Sequence, residues 1–437
     1  MAMKRHAVFG RPVMHSLSPI LFKAFFGTCG IDAAYIRISE PRAAQALMLY
    51  DELGLSGANA TSPLKQDLCR LLSSHDHMAM EIGAVNTLVS RNGNLRGYNT
   101  DAFGVVAALQ EANCHPLGKR CLILGAGGAA RAAAFGLKKA EAAEIIVANR
   151  TREKAMILAE LVDGVGVALD QLDIALPRAE IVVSCLPEGV AGQWPGISSL
   201  PRGCLVLEAN YRAPDLKDET ESIGARYLGG ERWLLHQAVE AFTIFHGRRV
   251  SSESARHALN SARQSMVKTT SVVLIGFMGA GKTTVGRALA RRLDFDFVDT
   301  DQAIEQNAGM SISEIFATKG EAAFRELELA EILRQRGRRR TILSVGGGAV
   351  ANKDIRVFLK SFGTVVWLYA PLGTCLGRVD DRNRPLLHCS DEAIARLYQE
   401  RQDTYFQTAD LLVKADDGDP AEVAARILNE ASVFFRD

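Results

Sequence analysis

Two glycine-rich turns, each set between a short aliphatic run and an Ala/Leu-rich stretch, restrict this chain more than any other feature. The first is Cys121-Leu-Ile-Leu124 followed by GAGGAARAAAFGLKKA, and the second is Val272-Val-Leu-Ile275 followed by GFMGAGKTTVGRALARRL. Strand, glycine turn, helix is the opening unit of a parallel α/β sheet. Two such openings predict two nucleotide-binding sheets, and the turns are not close internal repeats. Buried-strand patterns follow each of them: Ile145 to Ala148, Ile181 to Ser184 and Leu205 to Glu208 after the first, then Phe295 to Val298, Thr341 to Val345 and Val365 to Leu368 after the second. The 437 residues leave room for about three domains. The polar stretch from Ser261 to Thr270 separates the halves and reads as a linker or a helix end running into one.

Composition removes several function classes. With 51 Lys plus Arg against 50 Asp plus Glu, the net charge of +1 gives no support to a polybasic nucleic-acid or membrane binder. The run Arg334 to Arg340 reads as a solvated helix end and loop. No apolar run reaches the 18 or so residues of a membrane helix, and the apolar stretch after Lys4-Arg5 is too short for a signal peptide. Eight scattered cysteines without a C-x-x-C pair argue against a disulfide framework or zinc site and for a reducing cytoplasm. The partners are therefore expected to be small molecules, with no nucleic acid and no membrane; an oligomer stays open.

The second turn, Gly276-Phe-Met-Gly279-Ala280-Gly281-Lys282-Thr283-Thr284, fits G-x-x-x-x-G-K-[ST] in its proper context. Its glycines let backbone N–H groups face phosphate oxygens, Lys282 brings a cation to the β/γ-phosphates, and the Thr283 hydroxyl suits Mg²⁺. Asp299 and Asp301 follow at the end of the next strand, where ligand groups sit in open α/β sheets. Then come Phe324-Arg325-Glu326-Leu-Glu328, Gly346-Gly347-Gly348, Arg382-Asn-Arg384-Pro and Arg401 before Tyr405. This series resembles shikimate kinase from about residue 271 to 437. The resemblance implies Mg·ATP on Gly279 to Thr284, Arg378 near the adenine and Arg384 on a lid around 378–390. It implies Thr283 and Asp299 near the metal, and Asp301 accepting a bond from the substrate hydroxyl and acting as base. Arg325 and Arg401 would grip the shikimate carboxylate, a bidentate task suited to guanidinium, while Gly347 and Gly348 let backbone approach the ring.

The first turn, Gly125-Ala126-Gly127-Gly128-Ala129-Ala130, fits G-x-G-x-x-A after a strand. An NAD-type site would place Asp or Glu at the end of the following strand, on the ribose 2′-hydroxyl. Here stand Asn149-Arg150-Thr151 and, three residues on, Lys154; cations with a hydroxyl suit a 2′-phosphate, so NADPH is expected. His15-Ser16-Leu-Ser18-Pro, Asn59-Ala-Thr61-Ser-Pro-Leu-Lys65, Gly83-Ala-Val-Asn86-Thr and Gly97-Tyr-Asn-Thr-Asp101 come in order before it. With Tyr211, Gly229-Gly230 and Gln237 after it, this half resembles shikimate dehydrogenase over roughly residues 4–250. The resemblance implies that Ser16 and Ser18 hold the substrate carboxylate, that Thr61, Asn86 and Gln237 bind ring hydroxyls, and that Tyr211 lies beside the substrate. It makes Lys65 and Asp101 the catalytic pair and adds Gly229 to the cofactor site. Ketone reduction needs a proton at the nascent alkoxide, and a Lys ammonium oriented by a carboxylate supplies one. A local reading of Asp101 is an N-cap of a helix starting at Ala102. Ser184-Cys-Leu-Pro187, Glu208 and Trp233-Leu-Leu235 depart from the family's usual run.

The expected architecture is α/β throughout. A dehydrogenase-like half spans 1–262, with a substrate domain at 1–101 plus 236–262 and a Rossmann NADP domain at 102–235. A linker at 263–270 leads into a P-loop kinase-like parallel sheet at 271–437. The chain is expected to be a fused enzyme of aromatic biosynthesis, reducing 3-dehydroshikimate with NADPH and phosphorylating shikimate with ATP. The rival is a quinate/shikimate dehydrogenase fused to an inactive or regulatory kinase-like module.

Overall fold

The computed structural model describes residues 3–173, 175–187, 189–190, 196–212, 214–264, 270–379, 390–416 and 418–431. Arg384 and most of the expected linker and lid lie outside them. The chain divides into two compact units: one comprises residues 1–19, 32–41 and 266–437, the other 20–31 and 42–265. Among the described residues no helix is long and apolar enough to cross a membrane.

In the first unit seven strands pair in parallel. Their order is Asp296–Asp299, Thr341–Ser344, Val272–Ile275, Thr364–Tyr369, Leu411–Lys414, Ala33–Ser39 and Lys4–Gly10. The central strands are fully buried (Val272, Val273 and Leu274 are 0% exposed), as expected of a sheet covered on both faces. Register runs Val272 opposite Ile342 on one side and Thr364 on the other. The strand after the second glycine turn's helix begins at Asp296, one residue later than the sequence pattern suggests. Leu411–Lys414, too short and plain to stand out in the sequence, pairs with Ala33–Ser39 at Leu411 opposite Arg37. The N-terminal strands thus extend the kinase-like sheet. Arg5 reinforces the join, donating from Nε and Nη2 to Asp403 Oδ1 at 2.9 and 2.7 Å and from Nη1 to Gln402 Oε1 at 3.2 Å.

The second unit holds a six-stranded parallel sheet in the order Arg226–Gly229, Leu205–Glu208, Ile181–Ser184, Arg120–Leu124, Glu144–Asn149 and Val165–Ala168. Counted along the chain this is the doubly wound order 3-2-1-4-5-6, which reverses between Arg120–Leu124 and Ile181–Ser184 and opens a crevice there for a dinucleotide. The same unit carries an antiparallel meander of Gly57–Ala60, Thr87–Arg91 and Asn94–Tyr98. The helices Asp101–Glu111 and Gly230–His246 pack together, and Phe242 on the latter meets Phe25 edge-on at 5.6 Å.

Close helix–strand packing in the kinase-like sheet depends on Gly286. A Cβ at that position would strike the Phe297 ring and come within 3.1 Å of Leu274 Cδ1. Gly286→Ala is expected to overpack this contact and cost about 1–3 kcal/mol. Thermal unfolding of this sheet should then occur several degrees lower, while an unchanged midpoint would show that the ring moves aside freely.

Candidate active sites

The doubly wound sheet sets the first site. Gly125 follows the strand Arg120–Leu124 at φ 106°, a conformation that an L side chain rarely adopts, and its N–H bonds to Ala148 O at 2.7 Å. Gly127 is then the N-cap of the helix Gly128–Lys139 and has no side chain to cap it, leaving first-turn N–H groups for an anion. Ala126 and Ala129 flank this opening, both partly buried. Asn149 ends the adjacent strand, and its Nδ2 donates to Thr151 O at 3.0 Å, which fixes the corner. Arg150, Thr151 and Lys154 are exposed at that corner. A pyrophosphate at the open helix end and a 2′-phosphate at the cationic corner both fit the residues present.

Lys65 lies beside the glycine turn: a Cβ built on Gly128 would sit 3.7 Å from Lys65 Cδ. Its Nζ reaches Asp101 Oδ2 at 2.6 Å, and the two side chains are only 18% and 11% exposed. Such a short charge-assisted contact between mostly buried groups orients both partners. The helix begins at Asp101 itself, with Thr100 as N-cap, so Asp101 is not the cap. Asn99 Oδ1 instead accepts from the N–H groups of Asp101 and Ala102 at 3.1 and 3.4 Å, leaving the Asp101 carboxylate for Lys65. Trp233 Nε1 donates to Asp101 O at 2.9 Å, which accounts for the departure at Trp233: its indole pins the first residue of this helix.

Two of the hydroxyl-binding candidates, Asn86 and Gln237, are tied to Thr100, the residue before Asp101. Asn86 is buried; its Oδ1 accepts from Thr100 N at 2.9 Å and its Nδ2 lies 3.0 Å from Thr100 Oγ1. Thr100 Oγ1 lies 3.3 Å from Gln237 Oε1, so one threonine links Asn86 to Gln237. Thr61 is partly buried at the end of Gly57–Ala60, and Tyr211 is partly buried beyond Leu205–Glu208. Gly229 closes the strand Arg226–Gly229 and caps the helix that carries Gln237. Glu208 is 1% exposed and accepts from Asp215 N, Leu216 N and Tyr227 Oη at 3.0, 3.3 and 3.0 Å. Its departure from the family's usual residue therefore serves a loop anchor, and burial holds its carboxyl above the ordinary value.

Ser16 and Ser18 belong to the first unit. Both are buried; Ser16 Oγ accepts from Ser18 N at 3.3 Å, and Ser16 O accepts from Arg37 Nε and Nη2 at 3.1 and 2.6 Å.

The phosphate cradle follows the strand Val272–Ile275. Gly281, at φ 91°, is the N-cap of the helix Lys282–Leu293, and Gly279 and Ala280 precede it. Lys282 Nζ donates to Gly276 O at 2.9 Å and Phe277 O at 3.2 Å, folding back over the loop whose N–H groups would face phosphate. Thr284 is exposed on the first turn. Thr283 Oγ1 donates to Asp299 Oδ2 at 2.6 Å. A hydroxyl and a carboxylate in contact are hard oxygen donors that suit Mg²⁺. Asp299 Oδ1 also accepts from Asp301 N at 3.1 Å, which fixes where Asp301 starts.

The triple glycine gathers the remaining groups. A Cβ on Gly346 would meet Glu328 Oε1 at 2.7 Å and Asp301 Oδ1 at 2.8 Å. One on Gly348 would meet Arg325 Nη1 at 2.8 Å, and one on Gly347 would meet Arg401 Nη1 at 3.4 Å. Only a turn without side chains leaves room here, and it brings Asp301, Arg325 and Arg401 around one small space. Tyr405 Oη holds the turn by donating to Gly347 O at 2.7 Å. Glu328, quoted in the sequence only as part of a motif, is 1% exposed and binds Arg325 Nη1 at 2.8 Å. Burial first, and then the neighbouring Asp301 charge, hold its carboxyl above the ordinary value against the pull of Arg325. Arg378 is tied to Ala415 O at 2.8 Å and Asp416 O at 3.4 Å, on the loop after Leu411–Lys414.

Known families match both halves. The family described as shikimate dehydrogenase substrate binding domain matches residues 8–88, and shikimate / quinate 5-dehydrogenase matches residues 108–188. The NADP(+) shikimate dehydrogenase of Moorella thermoacetica is 37% identical over 258 residues, covering 55% of this chain and 88% of that protein. The chain belongs to the shikimate dehydrogenase family. The family's Natronomonas pharaonis NADP(+) enzyme is also 37% identical, over 265 residues, with 59% of this chain and 98% of that one covered. The crystal structure of the Thermus thermophilus shikimate 5-dehydrogenase with NADP(H) and shikimate is similar at a TM-score of 0.54 and 31% identity, covering 60% of this chain and all of that one. Residues 278–432 match the shikimate kinase family, so a shikimate kinase domain follows the dehydrogenase.

Cys185 occupies the Ser184-Cys-Leu-Pro187 departure, with its carbonyl 3.2 Å from a Cβ built on Gly125. Burial pushes its thiol up to about 12; the nearby Asp101 charge adds to this and Lys65 opposes it. At pH 8 about one thiol in 10,000 is then ionised, so Cys185 should alkylate at least about 100-fold more slowly than free cysteine, with the rate rising about tenfold per pH unit. Peptide mass spectrometry after iodoacetamide pulses checks this, and labelling at the free-cysteine rate would contradict it.

Proposed function

We propose that one chain carries out two successive reactions: NADPH-dependent reduction of 3-dehydroshikimate to shikimate, and ATP-dependent phosphorylation of shikimate at its 3-hydroxyl. Residues 1–262 would carry the first and 271–437 the second. The observation that carries this reading is the 2.6 Å contact between Lys65 Nζ and Asp101 Oδ2 beside an uncapped dinucleotide turn. The space shared by Asp301, Arg325 and Arg401 supports the second reaction in the same way.

When bound, NADPH supplies a hydride and Mg·ATP a transferable phosphoryl group. In the reductase site Lys65 Nζ delivers a proton to the substrate oxygen and Asp101 orients it. Thr61, Asn86 and Gln237 bind ring hydroxyls, Ser16 and Ser18 hold the carboxylate, and Tyr211 packs beside the ring. Gly125 to Ala129 and Gly229 cradle the pyrophosphate side of the cofactor, while Asn149, Arg150, Thr151 and Lys154 take its 2′-phosphate. In the kinase site Gly279 to Thr284 hold the phosphates, and Thr283 and Asp299 would hold Mg²⁺. Arg325 and Arg401 fix the shikimate carboxylate against the Gly347–Gly348 backbone, and Asp301 accepts the proton of the attacking hydroxyl. Arg378 would border the adenine and Arg384 the transferring group. This chemistry asks for alignment and charge neutralisation rather than covalent catalysis. A cytoplasmic location fits the free thiols among the described residues.

Lys65→Ala should lower reductase turnover at least about 100-fold while ATP-dependent phosphorylation persists. Steady-state kinetics of both activities on one preparation check this, and unchanged reduction would reject the Lys65 assignment. Arg150→Ala should raise the KM for NADPH at least about tenfold while changing that for NADH less than about threefold, since only the former carries the phosphate. Equal changes for both cofactors would count against 2′-phosphate recognition at this corner.

A further inference from the structure

The last helix of the kinase domain, Pro420–Ala431, carries near its end a carboxylate whose hydrogen bonds among the described residues go to the N-terminal part of the chain. Glu430 is 0% exposed. Its Oε2 accepts from Val13 N at 2.7 Å and Met14 N at 2.9 Å, and its Oε1 accepts from Ser39 Oγ at 2.7 Å. Val13 and Met14 open the turn that leads to Ser16: Ser16 N donates to Val13 O at 3.0 Å. The far end of that turn is held by Arg37, which donates to Ser16 O from Nε and Nη2 and reaches Asp410 O from Nη1 at 3.3 Å. Asp410 immediately precedes the kinase strand Leu411–Lys414, which pairs with the strand carrying Arg37 and Ser39.

Both ends of the serine turn are therefore tied to residues beyond 400. At its start the tie is direct, through Glu430, and at its end it runs through Arg37 to Asp410. A buried carboxylate with three donors is a stiff anchor, because losing it leaves two buried N–H groups and a hydroxyl without their acceptor. We infer that Glu430 of the kinase domain is a positioning residue for the dehydrogenase, holding the Val13–Ser18 segment so that Ser16 and Ser18 meet the substrate carboxylate. This rests on the assignment of those serines under the proposed function. Glu430 touches no substrate; it acts through the backbone of the turn.

The test uses the full-length protein. Glu430→Ala removes both acceptor oxygens and with them all three hydrogen bonds, and should raise the KM for 3-dehydroshikimate about tenfold, leaving the KM for NADPH and the kinetics of shikimate phosphorylation within about twofold of wild type. Glu430→Gln keeps an oxygen for the two N–H groups and an amide that can donate to Ser39 Oγ, so it should restore the KM to within about twofold. If Glu430→Ala does not fold, Glu430→Asp, one methylene shorter, should show the same selective rise in KM. An unchanged KM for 3-dehydroshikimate in the folded variants, a uniform loss of both activities, or a Gln substitution no better than Ala would overturn the inference. Ser16→Ala with Ser18→Ala, measured alongside, separates the two claims. If that double variant leaves the KM unchanged while Glu430→Ala raises it, the carboxylate assignment of the serines fails and the dependence on Glu430 stands.

Discussion

At the end of a parallel strand, where a helix begins, backbone N–H groups have no partner within the helix, and a turn with glycine at its tight positions lets a ligand reach them. Everything chemical in this protein is arranged around that constraint. Gly125 to Gly128 meet it in one sheet and Gly276 to Gly281 in the other, each leaving a helix start without a side-chain cap. The chemical groups are then brought to those openings from other elements: Lys65 beside Gly128, and Thr283 with Asp299 beside the second cradle. The two glycine turns thus set where a nucleotide can sit, and the other polar groups are gathered beside them.

Buried carboxylates fasten these elements, and their partners distinguish their tasks. Glu208 spends both oxygens on a loop and a tyrosine, so it is an anchor. Asp101 has its helix start satisfied by Asn99 and Trp233, which frees its carboxylate for Lys65. Glu328 holds Arg325 from below, giving the guanidinium a fixed plane beside the triple glycine. In each case the hydrogen bonds around the charge, more than the charge itself, tell an anchor from a reacting group.

Much of this was legible in the amino-acid sequence because it is local. Glycine turns after aliphatic runs, a cationic corner after Ala148, and two arginines at family spacing are readable without coordinates, and the strands around both turns lie within a residue or so of their patterns. What was not legible depends on partners far apart in the chain. Nothing near Glu430 marks it as an acceptor for Val13 and Met14, 417 and 416 residues away. Leu411–Lys414 carries no strong strand signal of its own and is held by its neighbours on both sides. Trp233 departs from the family's usual run, and nothing local in the sequence shows that its indole bonds Asp101 O. Asp101 looked like a helix cap because Asp is a common one, whereas Thr100 takes that position and Asn99 satisfies the first N–H groups.

The central claim is that one carbon skeleton passes through both sites, gaining hydrogen in the first and phosphate in the second. Its most direct test supplies the purified full-length protein with 3-dehydroshikimate, NADPH and Mg·ATP together and follows products by mass. NADPH oxidation and accumulation of shikimate 3-phosphate are expected, with shikimate alone when ATP is withheld. Shikimate that accumulates unphosphorylated in the presence of Mg·ATP, or 3-dehydroshikimate left untouched, would contradict the claim.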